Sequence, residues 1–172
     1  MDFWEVISAR RSVRQFDETR GLTDEQIERL LHAGTQAPSA GNLQPWFFYV
    51  VSEPSLRGGL AAAAFGQAFV AQAPVVIVVC AEPERSAVRY GDRGRSLYCL
   101  QDTASAVTHI LLAAVEMGLA GCWVGAFDED AAAQVLSVPA GRRPVALLPI
   151  GHGTQQPQAR PRRSVAEVSA AP

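Results

Sequence analysis

The densest concentration of chemistry-bearing side chains is Arg10-Arg11-Ser12-Val13-Arg14-Gln15-Phe16. In an extended chain Arg10, Ser12 and Arg14 point to one side, placing two guanidinium forks and a hydroxyl along a single edge. Such forks match phosphate oxygens in bidentate fashion and can also stabilise negative charge on a heteroaromatic carbonyl. The alternative for this segment is a solvated basic face at a helix C-terminus, where cations are favoured in any case.

A second concentration is Ala37-Pro38-Ser39-Ala40-Gly41-Asn42-Leu43-Gln44-Pro45-Trp46. Ser39, Asn42 and Gln44 offer donors and acceptors to a ring edge and Trp46 an apolar wall, unless the serine and asparagine simply satisfy local backbone. The third is Gly121-Cys122-Trp123-Val124-Gly125-Ala126-Phe127, which places small residues at a strand end where backbone can approach a ligand closely. There the competing reading has Gly125 marking a bulge and Trp123 filling the core.

Metal chemistry has little support, because His32, His109 and His152 lie far apart and no paired Cys/His ligand spacing occurs. The three cysteines, Cys80, Cys99 and Cys122, are odd in number and sit in apolar or helical contexts. They read as free thiols in a reducing cytoplasm.

With 172 residues the chain is long enough for one sizeable core, so 1–172 is read as a single domain. Its 48% apolar and 19% charged residues and net charge of -2 argue against disorder and against a surface for nucleic acid. The start Met1-Asp2-Phe3-Trp4-Glu5 lacks the basic and apolar regions of a secretory signal. The most apolar run, Ala73 to Ala81, is broken by Pro74 and falls far short of the roughly 20 apolar residues that cross a bilayer. A cytoplasmic protein with no membrane partner is expected.

The elements that must position these residues alternate. A short helix over Asp2–Ala9 leads into the arginines, and Thr23-Asp24-Glu25-Gln26 begins a second helix with a capping box, its inward stripe being Ile27, Leu30, Leu31 and Gly34. Strands are predicted over Phe47–Val51, Val75–Cys80, Cys122–Ala126 and Pro144–Ile150, and helices after the first strand, over Leu97–Met117 and over Glu129–Leu136. Residues 82–95 read as a weakly structured span, mobile or a lid. The tail from Thr154, with Pro157, Pro161 and three arginines, must lie on something or be disordered. The fold class is α+β.

Together, RRSVRQF, APSAGNLQPW, the long helix from Gln101-Asp102 to Met117-Gly118-Leu119, CWVGAF and RPVALLPIGH resemble the nitroreductase family, in a short member, over nearly the whole chain. The resemblance implies a central mixed sheet of about four to five strands flanked by helices, with the tail extending onto the partner subunit of a homodimer. It implies that Arg10, Arg11, Ser12 and Arg14 contact FMN, the first arginine toward the phosphate and the last toward the N1 and C2-carbonyl edge. Pro38, Ser39, Ala40 and Asn42 would approach the flavin from the partner. Val124, Gly125 and Ala126 would lie near N5 and O4, and Arg162 and Arg163 would reach the phosphate.

It further implies an FMN-dependent NAD(P)H oxidoreductase passing hydride through N5 to an electron-poor small-molecule acceptor such as a nitroaromatic, quinone or enone, in ping-pong fashion. No side chain is nominated as catalytic, since the cofactor carries the hard step. A dehalogenating or flavin-destroying enzyme of the same fold, or a non-catalytic FMN carrier or sensor, is the alternative. His109 stands where asparagine is more usual and reads as a packed core or interface residue, and Asp102 reads as a buried brace for the N-terminal arm.

Overall fold

The computed structural model describes residues 1–171; Pro172, the last residue of the tail, lies outside the described residues. Helix α1 (Phe3–Ala9) opens on a capping box in which the Asp2 carboxylate accepts from the Glu5 N–H at 2.9 Å and Glu5 accepts from the Asp2 N–H at 2.7 Å. Only Val6 of α1 is buried, and Phe3, Trp4 and Ile7 are exposed. Helix α2 (Asp24–Thr35) starts at Thr23 with the expected capping box and buries Leu30 and Gly34. A 3-10 turn over Ala40–Asn42 then leads into strand β1 (Trp46–Val51).

Helices α3 (Pro54–Ala63) and α4 (Phe69–Gln72) follow, then β2 (Val75–Ala81), every residue of which is buried. After α5 (Pro83–Arg93) and a π turn over Gly94–Tyr98 comes the 18-residue α6 (Cys99–Glu116). The chain closes with β3 (Ala120–Gly121), α7 (Glu129–Leu136), β4 (Arg143–Gly151) and α8 (Val165–Val168).

The strands form one four-stranded sheet in the order β1-β2-β4-β3, and all three ladders are antiparallel. The parallel component expected of a mixed sheet is a single bridge, Ser12 to Gly121. Alternation along β2 divides the core. Val76, Val78 and Cys80 pack with residues of α3, α4 and α7, while Val75, Ile77 and Val79 pack with residues of α2 and α6 on the other face. A continuous apolar run is what a strand covered on both faces requires; cutting the fully buried Ile77 to alanine would cost about 2–5 kcal/mol.

Two elements differ from the sequence reading. The span 82–95 is a kinked helix: Pro83 starts it, Gly91 breaks its regularity at φ 55°, and Arg95 ties it together through Glu84 at 2.7 Å and Asp92 at 2.5 Å. Its amphipathicity lies in charges rather than apolar residues, so apolar periodicity did not register it. The strand expected over Cys122–Ala126 does not form: β3 lies before it, at Ala120–Gly121, and within the expected span only Val124 bridges, to Leu147. The Cys122 N–H donates to the Pro149 carbonyl at 3.2 Å, but Pro149 has no N–H to return the bond, and the ladder stops there.

Candidate functional site

After α1 the chain straightens, and the Val13 N–H donates to the Gly121 carbonyl at 3.1 Å. Val13 and Phe16 are buried and pack with Ala73, which pins the arm and leaves the polar side chains between them to the outside. Arg14 is exposed, with its guanidinium 5.8 Å from the Phe69 ring centroid. Arg11 instead caps the end of α1, its Nη1 donating to the Ser8 carbonyl at 2.6 Å and the Arg10 carbonyl at 2.9 Å.

The tail folds back along this arm. Arg10, Arg11, Ser12 and Arg14 line one wall of a cleft of about 730 Å³ whose other wall includes Gln155, Gln158, Arg160 and Arg162. No carboxylate lines it, so the cations are not neutralised within the cleft. Arg163 is turned away and donates to the Glu167 carbonyl of its own tail, so of the two expected tail arginines only Arg162 reaches the cleft.

Beyond the arm's bridge, the sheet edge is open. Val124 exchanges both backbone hydrogen bonds with Leu147, at 2.9 and 3.0 Å, so the flanking N–H groups of Trp123 and Gly125 point away from the sheet. Gly125 and Ala126 are exposed, and a Cβ built on Gly125 would meet only Trp123 Nε1, at 3.9 Å. Trp123 is 41% exposed, so it does not fill the core as one reading held. Gln67 secures the segment by donating to the Ala126 carbonyl at 3.1 Å. Burial pushes the Cys122 thiol up, and the nearby Arg14 charge, the Ser12 hydroxyl and Arg10 pull against it; the bridge from Ser12 to Gly121 sets the arm beside this strand end.

The Pro38–Asn42 segment lies elsewhere. Val75 aligns with Ile150, itself opposite Gly121, whereas the loop precedes Trp46, opposite Ala81 at the far end of β2. Six residue steps of strand separate the two ends, roughly 20 Å. The loop is held from behind: the Ala40 N–H donates to Asp102 Oδ1 at 3.1 Å, and Arg85 Nε donates to the Leu43 carbonyl at 2.5 Å. Asp102 thus braces this loop and not the N-terminal arm. Burial pushes its carboxyl up against the pull of the Ala40 N–H, and its Oδ2 is buried without a partner among the described residues. Ser39 Oγ accepts from the Gln44 N–H at 3.0 Å, and Pro38, Gly41 and Asn42 remain exposed. His109 Nδ1 lies 3.3 Å from the Ala33 carbonyl on α2, a packing position.

Val124, Gly125 and Ala126 do not line the cleft but sit at the strand end that the arm bridges, and the two together suit the flavin mononucleotide that the resemblance implies: unneutralised guanidinium forks match a phosphate, and a glycine edge with outward N–H groups leaves room for a ring. Among the described residues no group of histidine, cysteine and acidic side chains could hold a metal ion, and no helix is long and apolar enough to cross a membrane.

Residues 7–70 and 60–152 match the model of the Nitroreductase family. This chain belongs to the nitroreductase family. An Archaeoglobus fulgidus relative, provisionally named NADH dehydrogenase/NAD(P)H nitroreductase, is 37% identical over 139 residues, covering 78% of this chain and 75% of the relative. The NADPH-flavin oxidoreductase of Vibrio harveyi is 32% identical over 165 residues, 92% of this chain and 68% of that one. The solved structure of the Vibrio harveyi NADPH:FMN oxidoreductase complexed with NAD+ superimposes with a TM-score of 0.88 at 29% identity, covering 98% of this chain and 76% of that chain.

Within this family member, sequence reasoning missed Arg160 and Gln155 in the cleft, and Gln67 behind the strand end. Arg160 carried a signal, since it belongs to the same arginine-bearing tail. Gln67 carried none, because its bond to Ala126 spans 59 residues.

Proposed function

We propose that this chain is an FMN-dependent NAD(P)H oxidoreductase acting as a homodimer, with residues 1–172 folding as one unit and the tail from Thr154, which lies along its own arm as far as Arg162, reaching the partner beyond that point. The observation carrying the reading is the distance between the walls. The arginine cleft and the open Gly125 edge lie at one end of the sheet and the Pro38–Asn42 loop at the other, so a site using both needs two chains. Exposed Phe3, Trp4 and Ile7 on α1 and Val165 and Val168 on α8 supply apolar surface for such an interface.

FMN bound here would supply the hydride relay, taking hydride from NAD(P)H and passing it in a separate step to an electron-poor acceptor such as a nitroaromatic, quinone or enone. Arg10, Arg160 and Arg162 would hold the phosphate, and Arg14 would offset negative charge gathering at the pyrimidine edge. The outward N–H groups of Trp123 and Gly125 would orient the ring, and Asn42 with Ser39 would close it from the partner. Fully buried or nearly buried Cys80, Cys99 and Cys122 would take no part, which suits a reducing cytoplasm.

The absorption spectrum of the purified protein tests this reading. Yellow protein, or colourless protein that binds added FMN at one per chain and is bleached by NAD(P)H, is expected. Protein that refuses FMN would remove the reading, and flavin-loaded protein untouched by NAD(P)H would leave a carrier.

A further inference from the structure

The kinked helix α5 and the turn after it carry a side-chain cluster that the flavin reading leaves unused. Arg89 lies with its guanidinium carbon 5.5 Å from the Tyr90 ring centroid, Tyr90 meets Tyr98 edge-on at 5.1 Å, and Arg93 lies 5.2 Å over Tyr98 while its Nε donates to the Tyr98 hydroxyl at 2.8 Å. Two cations thus bracket a tyrosine pair.

These charges have been left free. Every acid of the segment is engaged with another partner: Glu82 with Arg142 at 2.9 Å, and Glu84 and Asp92 with Arg95. Arg89 and Arg93 have no carboxylate partner among the described residues. A solvated basic face needs no such sorting of its neighbours.

The cluster also has a fixed address. A Cβ on Gly41 would lie 2.7 Å from Tyr90 Oη and 2.9 Å from Arg89 Nη1, so both groups converge on the loop Ala40–Asn42. A second substrate stacking beside that loop would meet an aromatic edge and a guanidinium fork together. That combination recognises a ring bearing an oxyanion, the fork pairing with two oxygens and the tyrosines flanking the ring.

We propose that Arg89 and Arg93, with Tyr90 and Tyr98 between them, form a subsite for the anionic substituent of an aromatic second substrate, whether a phosphate on the reductant or a carboxylate on the acceptor. The proposal rests on the flavin reading, because only that reading puts a reacting ring beside Ala40–Asn42. It is distinct from the Arg10–Arg14 cleft, which lies at the other end of the sheet.

The test measures binding to the oxidised, FMN-loaded protein, where no turnover intervenes. Two probe pairs each differ by one anionic group: NADP+ against NAD+, and 4-nitrobenzoate against nitrobenzene. At least one anionic probe should bind about tenfold tighter than its counterpart, and the preference should shrink below about twofold in Arg89→Gln/Arg93→Gln. Which pair shows it assigns the source, phosphate or carboxylate. Both arginines are exposed, so the variant should melt as the parent does; if it melts early, Arg89→Gln alone is read the same way. Equal binding within both pairs, or a preference that survives the replacements, overturns the proposal while FMN is still bound. Failure to take up FMN overturns the underlying reading and the proposal with it.

Discussion

The two ends of the sheet are built in opposite ways. At the β3 end, the arm presents Arg10, Ser12 and Arg14 with arginines of the tail across from them, the cations face no carboxylate, and backbone donors at Trp123 and Gly125 point outward. At the β1 end, the Pro38–Asn42 loop is clamped by Asp102, Arg85 and Tyr90 and presents little charge of its own. One end leaves its cations without a counter-charge, and the other fixes an uncharged loop from behind. On the proposed reading, the loop held by the buried Asp102 carboxylate serves the open cation cluster of another copy.

The sharpest way to break that contrast is to empty the arm. Arg10→Ala/Arg14→Ala should raise the Kd for FMN by about 100-fold or more, since charge-assisted contacts are worth about 1.5–3 kcal/mol each. The melting temperature of the FMN-free protein should stay unchanged, because neither arginine holds the fold together. An FMN titration read by fluorescence, alongside a melt, checks both halves.

A milder effect is expected from the clamped end. Gly41 has φ +57°, and a side chain there would collide with Tyr90 Oη and Arg89 Nη1. Gly41→Val should cost about 1–3 kcal/mol of stability and weaken FMN binding even though the cleft arginines are intact. If FMN affinity does not change, the loop has no part in the site.

Asp102 separates the ends by pH. Its folded carboxyl is held above the ordinary aspartate value by burial, so the native state binds the extra proton in that window. Stability tied to this group is therefore present in acid and is lost as pH rises through the raised value. Asp102→Asn keeps an acceptor for the Ala40 N–H and removes the titration. The variant should match the parent in acid and gain on it as pH rises, measured by urea unfolding at several pH values; a gap that is the same at every pH contradicts the assignment.

The smallest effect concerns the thiols. Burial pushes the Cys80 thiol up to about 12, with Arg142 opposing and Glu82 adding, and Cys99 and Cys122 are buried as well. A thiol reagent at pH 8 should label none of the three in native protein and all three after unfolding.

What could be read from the sequence follows from how local each signal is. The capping box at Thr23 and the all-apolar run of β2 are local, and they fall where the pattern put them. The arginine arm was legible as chemistry but ambiguous in purpose, since the bridge from Ser12 to Gly121 that aims it joins distant segments. The partner of Asp102 was misassigned for the same reason: helical register shows that the residue is buried, not that it holds Ala40, 62 residues away. Helix α5 was hidden because its regularity lies in Arg95, Glu84 and Asp92 rather than in apolar spacing.

Whether the two ends meet across subunits is open to direct measurement. The arm variant Arg10→Ala/Arg14→Ala and a loop-tip variant, Asn42→Trp, each bind FMN poorly alone on this account. Mixed by unfolding and refolding together, half of the dimers would be hybrids, and each hybrid would hold one site with both walls intact. Tight FMN binding should then return to about one quarter of the sites, counted by titration. If mixing restores no tight binding although each variant refolds alone, arm and loop do not complete one site across two chains, and the central claim fails.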